Sequence, residues 1–480
     1  MMPYKKKSYS NYILPLIFII IVSILVRQHK INFDDFWLDE IITFWISDPS
    51  LTFAETYTRH YSIDINSILF NIILKNFFKF FNYEIYIGRY LSFFFGILSF
   101  FSISYLFYLL KKNKAQFLFF LILLGFNSYF IKYSQELRLY SMWVFFISVT
   151  LIYFIKLTKK NDKIHACLFT LFQILSITTH VFAIIIYFSI IFYYLLSIFL
   201  DKEKNFKYIK ISIIFIFIFN LFYLPLYISS TDLNLTTSWI TLPELKFYRN
   251  FYFSIFFGSR ITGAIYLLLL IFLVIKFRKK IFTFSSINLF FFILIILSYM
   301  APLAYSYFIK PVLVHRYIIF IVIPILLIIS DLTFKIKNII IKNTTILVLI
   351  LLTIFPTMKD IIFIKSYSKP SLKSALEEIN KSNTKEFTIN FDIASKKSEF
   401  ESIKFAYTNY FLKFIQEKNF QLKYIDFDKS SNYNSVWILC IADLSGFECT
   451  PPPLFKSNKK LIVLKELDVY KINLKLIKFI

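Results

Sequence analysis

Asp39 and Glu40 stand side by side in FWLDEIITFW, directly after an aromatic-rich stretch. A carboxylate at the edge of an apolar region resists ionisation, because burial disfavours its charged form. Such a group can take a proton from a hydroxyl or amine near neutral pH, the task of a general base. Two solvated loop carboxylates are the plain alternative. Asp64, in YSIDINSILF, precedes an apolar stretch and reads as a helix cap, with Ser62 and Asn66 as competing caps and substrate binding as its other role. Glu136 and Arg138 lie in YSQELRLY, a short loop joining two apolar runs. Charges at that depth are costly and are usually paired or functional. A guanidinium suits bidentate phosphate binding, against the plain alternative of an Arg reaching out to lipid headgroups. His180 occupies a turn in TTHVF, where an interfacial role competes with a ligand role. Lys310, His315 and Arg316, followed by Tyr317, open a late apolar run in FIKPVLVHRYIIF. Cations there suit an anion such as a lipid phosphate, with headgroup anchoring as the alternative.

Other chemistries find no motif. There is no Walker-type phosphate loop, no GxGxxG, no HExxH and no paired CxxC. Redox-cofactor binding and cytoplasmic ATP hydrolysis are therefore unsupported. The outer carboxylates are of the type that holds a divalent metal ion, although no ligand spacing assigns one, and no other cofactor is implied.

These residues must be held by a membrane scaffold. Of 480 residues 58% are hydrophobic and 21% aromatic, against a usual apolar content of about 45–50%. The excess falls in long blocks. A span needs roughly 20 apolar residues, which gives about eleven candidates: 11–26, 85–110, 115–131, 139–157, 164–179, 181–200, 208–228, 262–276, 285–306, 316–334 and 339–357. The first follows Lys5–Lys7 without a small-residue cleavage site and reads as an uncleaved anchor. The net charge of +25 resides in lysine clusters on alternate loops, which places those loops in the cytoplasm rather than on nucleic acid. The expected fold class is an all-α polytopic membrane protein with a small extracytoplasmic α/β domain. Residues 1–357 form the membrane part, including outer loops 27–84 and 229–261, and residues 358–480 form the outer domain. The multi-pass chain would lie in the inner (cytoplasmic) membrane.

Within the first outer loop, Ile68–Phe81 reads as an interfacial helix. In the second, Thr241 and Pro243 suit a helix start. In the tail, Ser371–Asn380 and Tyr407–Lys418 read as helices and Phe387–Phe391 and Val436–Ile441 as strands. Leu461–Leu464 and Val469–Leu474 read as a closing hairpin. Of three cysteines, Cys167 lies in an apolar run, while Cys440 and Cys449 can pair if they face an oxidising compartment.

The motifs, taken in order, resemble those of polytopic glycosyltransferases of the C-type superfold (GT-C), in the protein mannosyltransferase and aminoarabinose transferase branch (glycosyltransferase family 39-like). Asp39-Glu40 matches the family's Asp-Glu pair. Ser134–Tyr140 matches an SQE-x-R-x-Y loop, and Thr179-His180 with Phe182 a TH-aromatic turn. Trp239–Pro243 matches a W-I-x-x-P segment, and Arg316-Tyr317 an RY opening a late span. One departure is clear: many bacterial members carry Asp-x-His-Pro-Pro where this chain has Asp64-Ile65-Asn66-Ser67. The resemblance implies transfer of a sugar from a polyprenyl-phosphate carrier to a lipid, glycan or protein acceptor on the extracytoplasmic face. Asp39, with Glu40, would be the catalytic carboxylate. Asp64, Glu136, Arg138, His180, Lys310, His315, Arg316 and Tyr317 would bind substrate. Two other readings use the same cations: a transporter or flippase of a lipid-linked glycan, and a surface-polysaccharide polymerase or ligase. The absence of an internal repeat speaks against the transporter. The large loop lies first rather than late in the chain, which speaks against the polymerase.

Overall fold

The computed structural model describes residues 10–64, 66–110, 113–200, 207–230, 240–281, 287–359, 369–390, 397–425, 435–441, 461–469 and 471–479. Each of the eleven apolar runs is helical, because only an intrasegment ladder satisfies backbone N–H and C=O groups without water. In chain order the first helices are α1 (Ser10–Gln28), α2 (Leu38–Ile46), α3 (Phe53–Tyr61), α4 (Leu69–Phe81), α5 (Arg89–Leu110), α6 (Lys114–Gly125), α7 (Ser128–Ser134), α8 (Tyr140–Lys159), α9 (Lys163–Ile177), α10 (Ile184–Leu200) and α11 (Lys207–Ser230). Later long helices are Arg260–Lys276, Ile287–Phe308, Val322–Thr333 and Ile339–Thr357.

Among the described residues, seven helices are long and apolar enough to cross a membrane, or eight if α6 and α7, bent by 54°, count as one span. The stretches Tyr12–Gln28 and Lys163–Ile177 are apolar but shorter. The chain is thus a multi-pass membrane protein. By length and composition its span count is seven or eight, where the apolar runs of the sequence suggest eleven.

The chain divides into two compact units. One contains Met1–His29, Ser92–Ser230 and Thr237–Phe363; the other contains Lys30–Leu91 together with Ile364–Ile480. Residues 30–91 thus fall in one unit with the C-terminal region, whereas the sequence expectation groups 27–84 with residues 1–357.

In the helical unit, the α6–α7 bend has identifiable causes. Asn127 caps α7 by accepting from the Phe130 N–H, and its amide donates to the Phe256 carbonyl at 3.0 Å. Arg27 donates to the Gly125 carbonyl at 2.8 Å at the end of α6 and to the Leu124 carbonyl at 3.4 Å, which also accepts from the Asn127 N–H at 3.4 Å. Gln135 returns the favour: its amide donates to the Arg27 carbonyl at 3.0 Å and the His29 carbonyl at 2.8 Å beyond the end of α1. Among the described residues of 229–261 there are two helical turns, Leu245–Tyr248 and Phe253–Phe256, the first with Glu244 rather than Thr241 at its cap position. Left-handed Phe251 (φ 48°) and Tyr252 (φ 62°) separate them. Trp239 lies outside the described residues.

In the other unit, a five-stranded sheet has the order β2-β1-β3-β5-β4. Its strands are β1 (Glu386–Asn390), β2 (Lys423–Tyr424), β3 (Ser435–Ile441), β4 (Leu461–Val469) and β5 (Ile472–Phe479). β1 pairs in parallel with β2 and β3, while β5 runs antiparallel to β3 and β4. Central β3 buries Val436 through Ile441, as expected for a strand covered on both faces. The helix Lys397–Lys418 returns the chain from β1 to β2, and it buries Tyr410, Phe411 and Phe414. It starts at Lys397, well before Tyr407, because its polar first turns carry little apolar signal. The hairpin closes at left-handed Lys471 (φ 66°), which splits the expected strand Val469–Leu474. Cys167 is free and exposed; Cys440 is disulfide-bonded, and Cys449 lies outside the described residues.

Gly96 of α5 passes so close to Ser134 that an added Cβ would collide with the serine Cβ. Gly96→Ala should cost about 1–3 kcal/mol by overpacking, measurable as a fall in Tm in detergent. A second change, Ser134→Gly, should restore most of the loss.

Candidate active site

The carboxylates of the first outer loop are organised around Arg89, the first residue of α5. Every N–H of its guanidinium has an acceptor. Nε donates to Glu40 Oε1 and Nη2 to Glu40 Oε2, both at 2.9 Å. Nη2 also reaches the Asp35 carbonyl at 3.1 Å, and Nη1 the Ile31 and Asp34 carbonyls at 2.9 and 2.6 Å. Its planar face lies 4.8 Å from the centre of the Phe36 ring. Lys369 Nζ donates to Glu40 Oε2 at 2.8 Å. The Glu40, Arg89 and Lys369 side chains are 0%, 1% and 14% exposed. Burial pushes the Glu40 carboxyl up, but Arg89 and Lys369 overcome it and hold the group down at about 2. An anion held this firmly is a poor proton acceptor, so its environment suits a positioning role rather than that of a base.

Asp39 precedes it in the first turn of α2 and is half-buried. Its carbonyl accepts from the Thr43 hydroxyl at 2.7 Å, which secures the backbone of that turn. The helix start favours negative charge there. Asp35 is the buried carboxylate with a raised pKa: burial pushes it up against hydrogen bonds from the Lys373 N–H, Tyr86 and Ser371 and the charge of Arg89. Those bonds measure 2.7, 2.8 and 3.1 Å respectively.

Asp64 does not cap α4, whose cap position is Ile68 with no side-chain bond. Instead Asp64 Oδ1 accepts from the Asn66 N–H at 2.9 Å and its side-chain amide at 2.7 Å, closing a local turn. The Asn71 amide donates to His60 Nδ1 at 2.9 Å, leaving Nε2–H to donate to the Asn66 carbonyl at 2.6 Å. A fully buried imidazole thus fixes the turn in a sequence that lacks His-Pro-Pro.

In the helical unit, the other candidates converge through aromatic rings. Trp143 stacks on His180 at 4.4 Å, His180 lies 4.8 Å from Tyr317, and Tyr140 lies 4.8 Å from Tyr133 and 6.4 Å from His180. The Tyr129 hydroxyl and His315 Nδ1 are 2.8 Å apart, and the Arg316 guanidinium lies 5.7 Å from the Tyr317 ring centre. Glu136, three residues after Tyr133, has its Oε1 4.0 Å from Lys132 Nζ. Glu136 and Arg138 are buried; Ser92 donates to the Arg138 carbonyl at 3.1 Å. Ser134 and Gln135 in the same loop serve packing and capping. The structure therefore brings Glu136, His180, His315, Arg316 and Tyr317 into one aromatic neighbourhood. Half-buried Lys310 follows the end of the Ile287–Phe308 helix. A cleft of ≈ 500 Å³ lies in this unit, lined by apolar Ile240, Leu242, Phe247 and Leu313, by cationic Lys246 and Arg260 and by acidic Glu244. Among the described residues no group of three or more His, Cys, Asp or Glu side chains is disposed to hold a metal ion.

Arg89, Lys369 and Asp35 escape the sequence reading. Arg89 carries the signal that singles out Arg316: a cation opening an apolar run. Lys369 carries none, since 54 residues are Lys or Arg and its partner is 329 positions away.

Glu40→Gln should strand Arg89 and Lys369 without their anion and cost about 3–5 kcal/mol, read as a lowered Tm. Asp39→Asn should cost about 0.5 kcal/mol, the loss of one anion at a helix start. Because the folded Glu40 value of about 2 lies below its ordinary 4.5, its contribution is present above about pH 4.5 and fades as pH falls toward 2. Wild-type Tm should decline through that window more steeply than that of Glu40→Gln.

No family model matches the chain, and no curated protein matches it. Solved structures do. ArnT from Cupriavidus metallidurans bound to undecaprenyl phosphate matches with a TM-score of 0.58 at 9% identity, covering 98% of both chains. The same protein in the apo state matches with a TM-score of 0.59 at 8% identity, again over 98% of each. From end to end, this chain shares the fold of ArnT.

Proposed function

We propose that this chain is a membrane glycosyltransferase that moves a sugar from a polyprenyl-phosphate carrier to a lipid, glycan or protein on the extracytoplasmic face. The observation that carries this reading is the full-length likeness in fold to a protein crystallised with undecaprenyl phosphate. The motifs support placing it in the family 39-like mannosyltransferase and aminoarabinose transferase branch. The lysine loops support the inner membrane as its location, with the C-terminal region outside. The disulfide-bonded state of Cys440 supports the same sidedness, because disulfides persist in oxidising compartments.

Asp39 takes the proton of the acceptor hydroxyl or amine as that atom attacks the anomeric carbon. The bond from the anomeric carbon to the carrier phosphate oxygen breaks, and its electron pair leaves with the phosphate. Displacement from the opposite face inverts the anomeric centre. Arg138, Lys310 and Arg316 stabilise the charge gathering on the leaving phosphate, where most of the rate gain lies. Lys246 and Arg260 in the cleft add cations beside apolar walls, a pairing that suits an amphiphile with an anionic head. His180 and Tyr317 offer ring faces and polar edges to a sugar. Glu40 holds the helix that bears Asp39.

Asp39→Asn should abolish the surface glycan that depends on this gene, read by mass spectrometry of cell-surface glycans, while the protein still accumulates in the membrane. Full retention of the glycan would remove Asp39 as the base. Arg138→Ala and Arg316→Ala should each weaken carrier binding on the order of 10-fold or more, the loss of one charge-assisted contact. Unchanged affinity would remove them from the phosphate site.

A further inference from the structure

We propose that the segment Lys369–Lys373 is a clamp on the first-loop carboxylates and that Lys369 is a positioning residue for transfer; its catalytic part rests on the reading above. Two grips lie within five residues of chain. Lys369 Nζ holds Glu40 Oε2 at 2.8 Å, while the Ser371 hydroxyl and the Lys373 N–H hold Asp35 Oδ2 at 3.1 and 2.7 Å. The second grip sits at the N-terminus of the helix Leu372–Lys381, which Ser371 caps. Asp35 and Glu40 therefore hold both ends of the short stretch that carries Asp39.

Charge balance explains the second cation. Glu40 already has a bidentate guanidinium on both oxygens. Desolvating a further ammonium is costly unless it is compensated. Asp35 supplies the compensation, since Arg89 acts on it as well as on Glu40. Two buried carboxylates then face two cations. Without Lys369, two carboxylates share one guanidinium, and the start of α2 loses its ion pair with the C-terminal region, leaving the grip on Asp35 to hold it alone. The C-terminal region is thereby part of the machinery that aims Asp39, beyond any part it takes in acceptor choice.

The test uses the full chain in lipid nanodiscs, with Lys369→Met, Lys369→Arg and Ser371→Ala. Hydrogen exchange, which needs no substrate, should rise about tenfold across Leu38–Ile46 in Lys369→Met, with the Ile287–Phe308 helix unchanged. It should stay near wild type in Lys369→Arg. Should Lys369→Met fail to accumulate, Ser371→Ala, which loses one grip on Asp35 together with the cap on the Ser374 N–H but keeps both charges, should show the same local rise at smaller amplitude. In a transfer assay with an undecaprenyl-phosphate sugar, Lys369→Met should lose on the order of 100-fold in kcat with the donor KM unchanged, the signature of a misaimed group. Lys369→Arg should recover most of it. Unchanged exchange across Leu38–Ile46, or wild-type kcat in Lys369→Met, overturns the clamp. A wild-type protein that transfers nothing overturns the transferase reading instead, and the exchange data still decide the clamp.

Discussion

The bidentate ion pair between Arg89 and Glu40 is the interaction on which the arrangement of the Asp35, Asp39 and Glu40 carboxylates depends. Neither side chain meets solvent, and each would be costly to bury alone. Arg89 uses its remaining N–H groups on the carbonyls of Ile31, Asp34 and Asp35, so one guanidinium organises the whole approach to α2. The pair turns an adjacent Asp-Glu sequence into two unlike groups. Glu40 is committed to structure, while Asp39 stays half-buried at a helix start. Neighbouring residues of the same type are thus separated by environment alone.

A different principle holds the helical unit's candidates. There the rings of Tyr133, Tyr140, Trp143, His180 and Tyr317 form a chain of contacts, and buried or half-buried charges are set among them. Aromatic walls exclude water and leave cations strong in their pull on an anion. The broken α6–α7 span makes this arrangement possible. Arg27 donates to the carbonyls of Gly125 and Leu124 at the break, and the exit loop delivers Glu136 and Arg138. The same interruption that would weaken a simple span therefore carries two of the candidate residues.

Much of this was legible in the residues. Continuous apolar blocks announce helices because the membrane permits little else, and α4 and β3 fall within a residue or two of their expected bounds. Local sequence failed where long-range contacts decide. Asp64 has the type and place of a cap, yet it is recruited into a turn stabilised by His60 and Asn71. Lys369 is one lysine in a lysine-rich chain and gains meaning only from a carboxylate far away in sequence. The membership of the first outer loop in the same unit as the C-terminal sheet was likewise invisible to composition, because packing across three hundred residues leaves no periodic trace.

The most direct test follows the carrier itself. Purified wild-type protein in nanodiscs, given an undecaprenyl-phosphate sugar and an extract of envelope acceptors, should release undecaprenyl phosphate while the sugar appears on an acceptor with inverted anomeric configuration, both read by mass spectrometry and NMR. A carrier that remains intact, or that crosses to the opposite leaflet with its sugar still attached, would contradict the account.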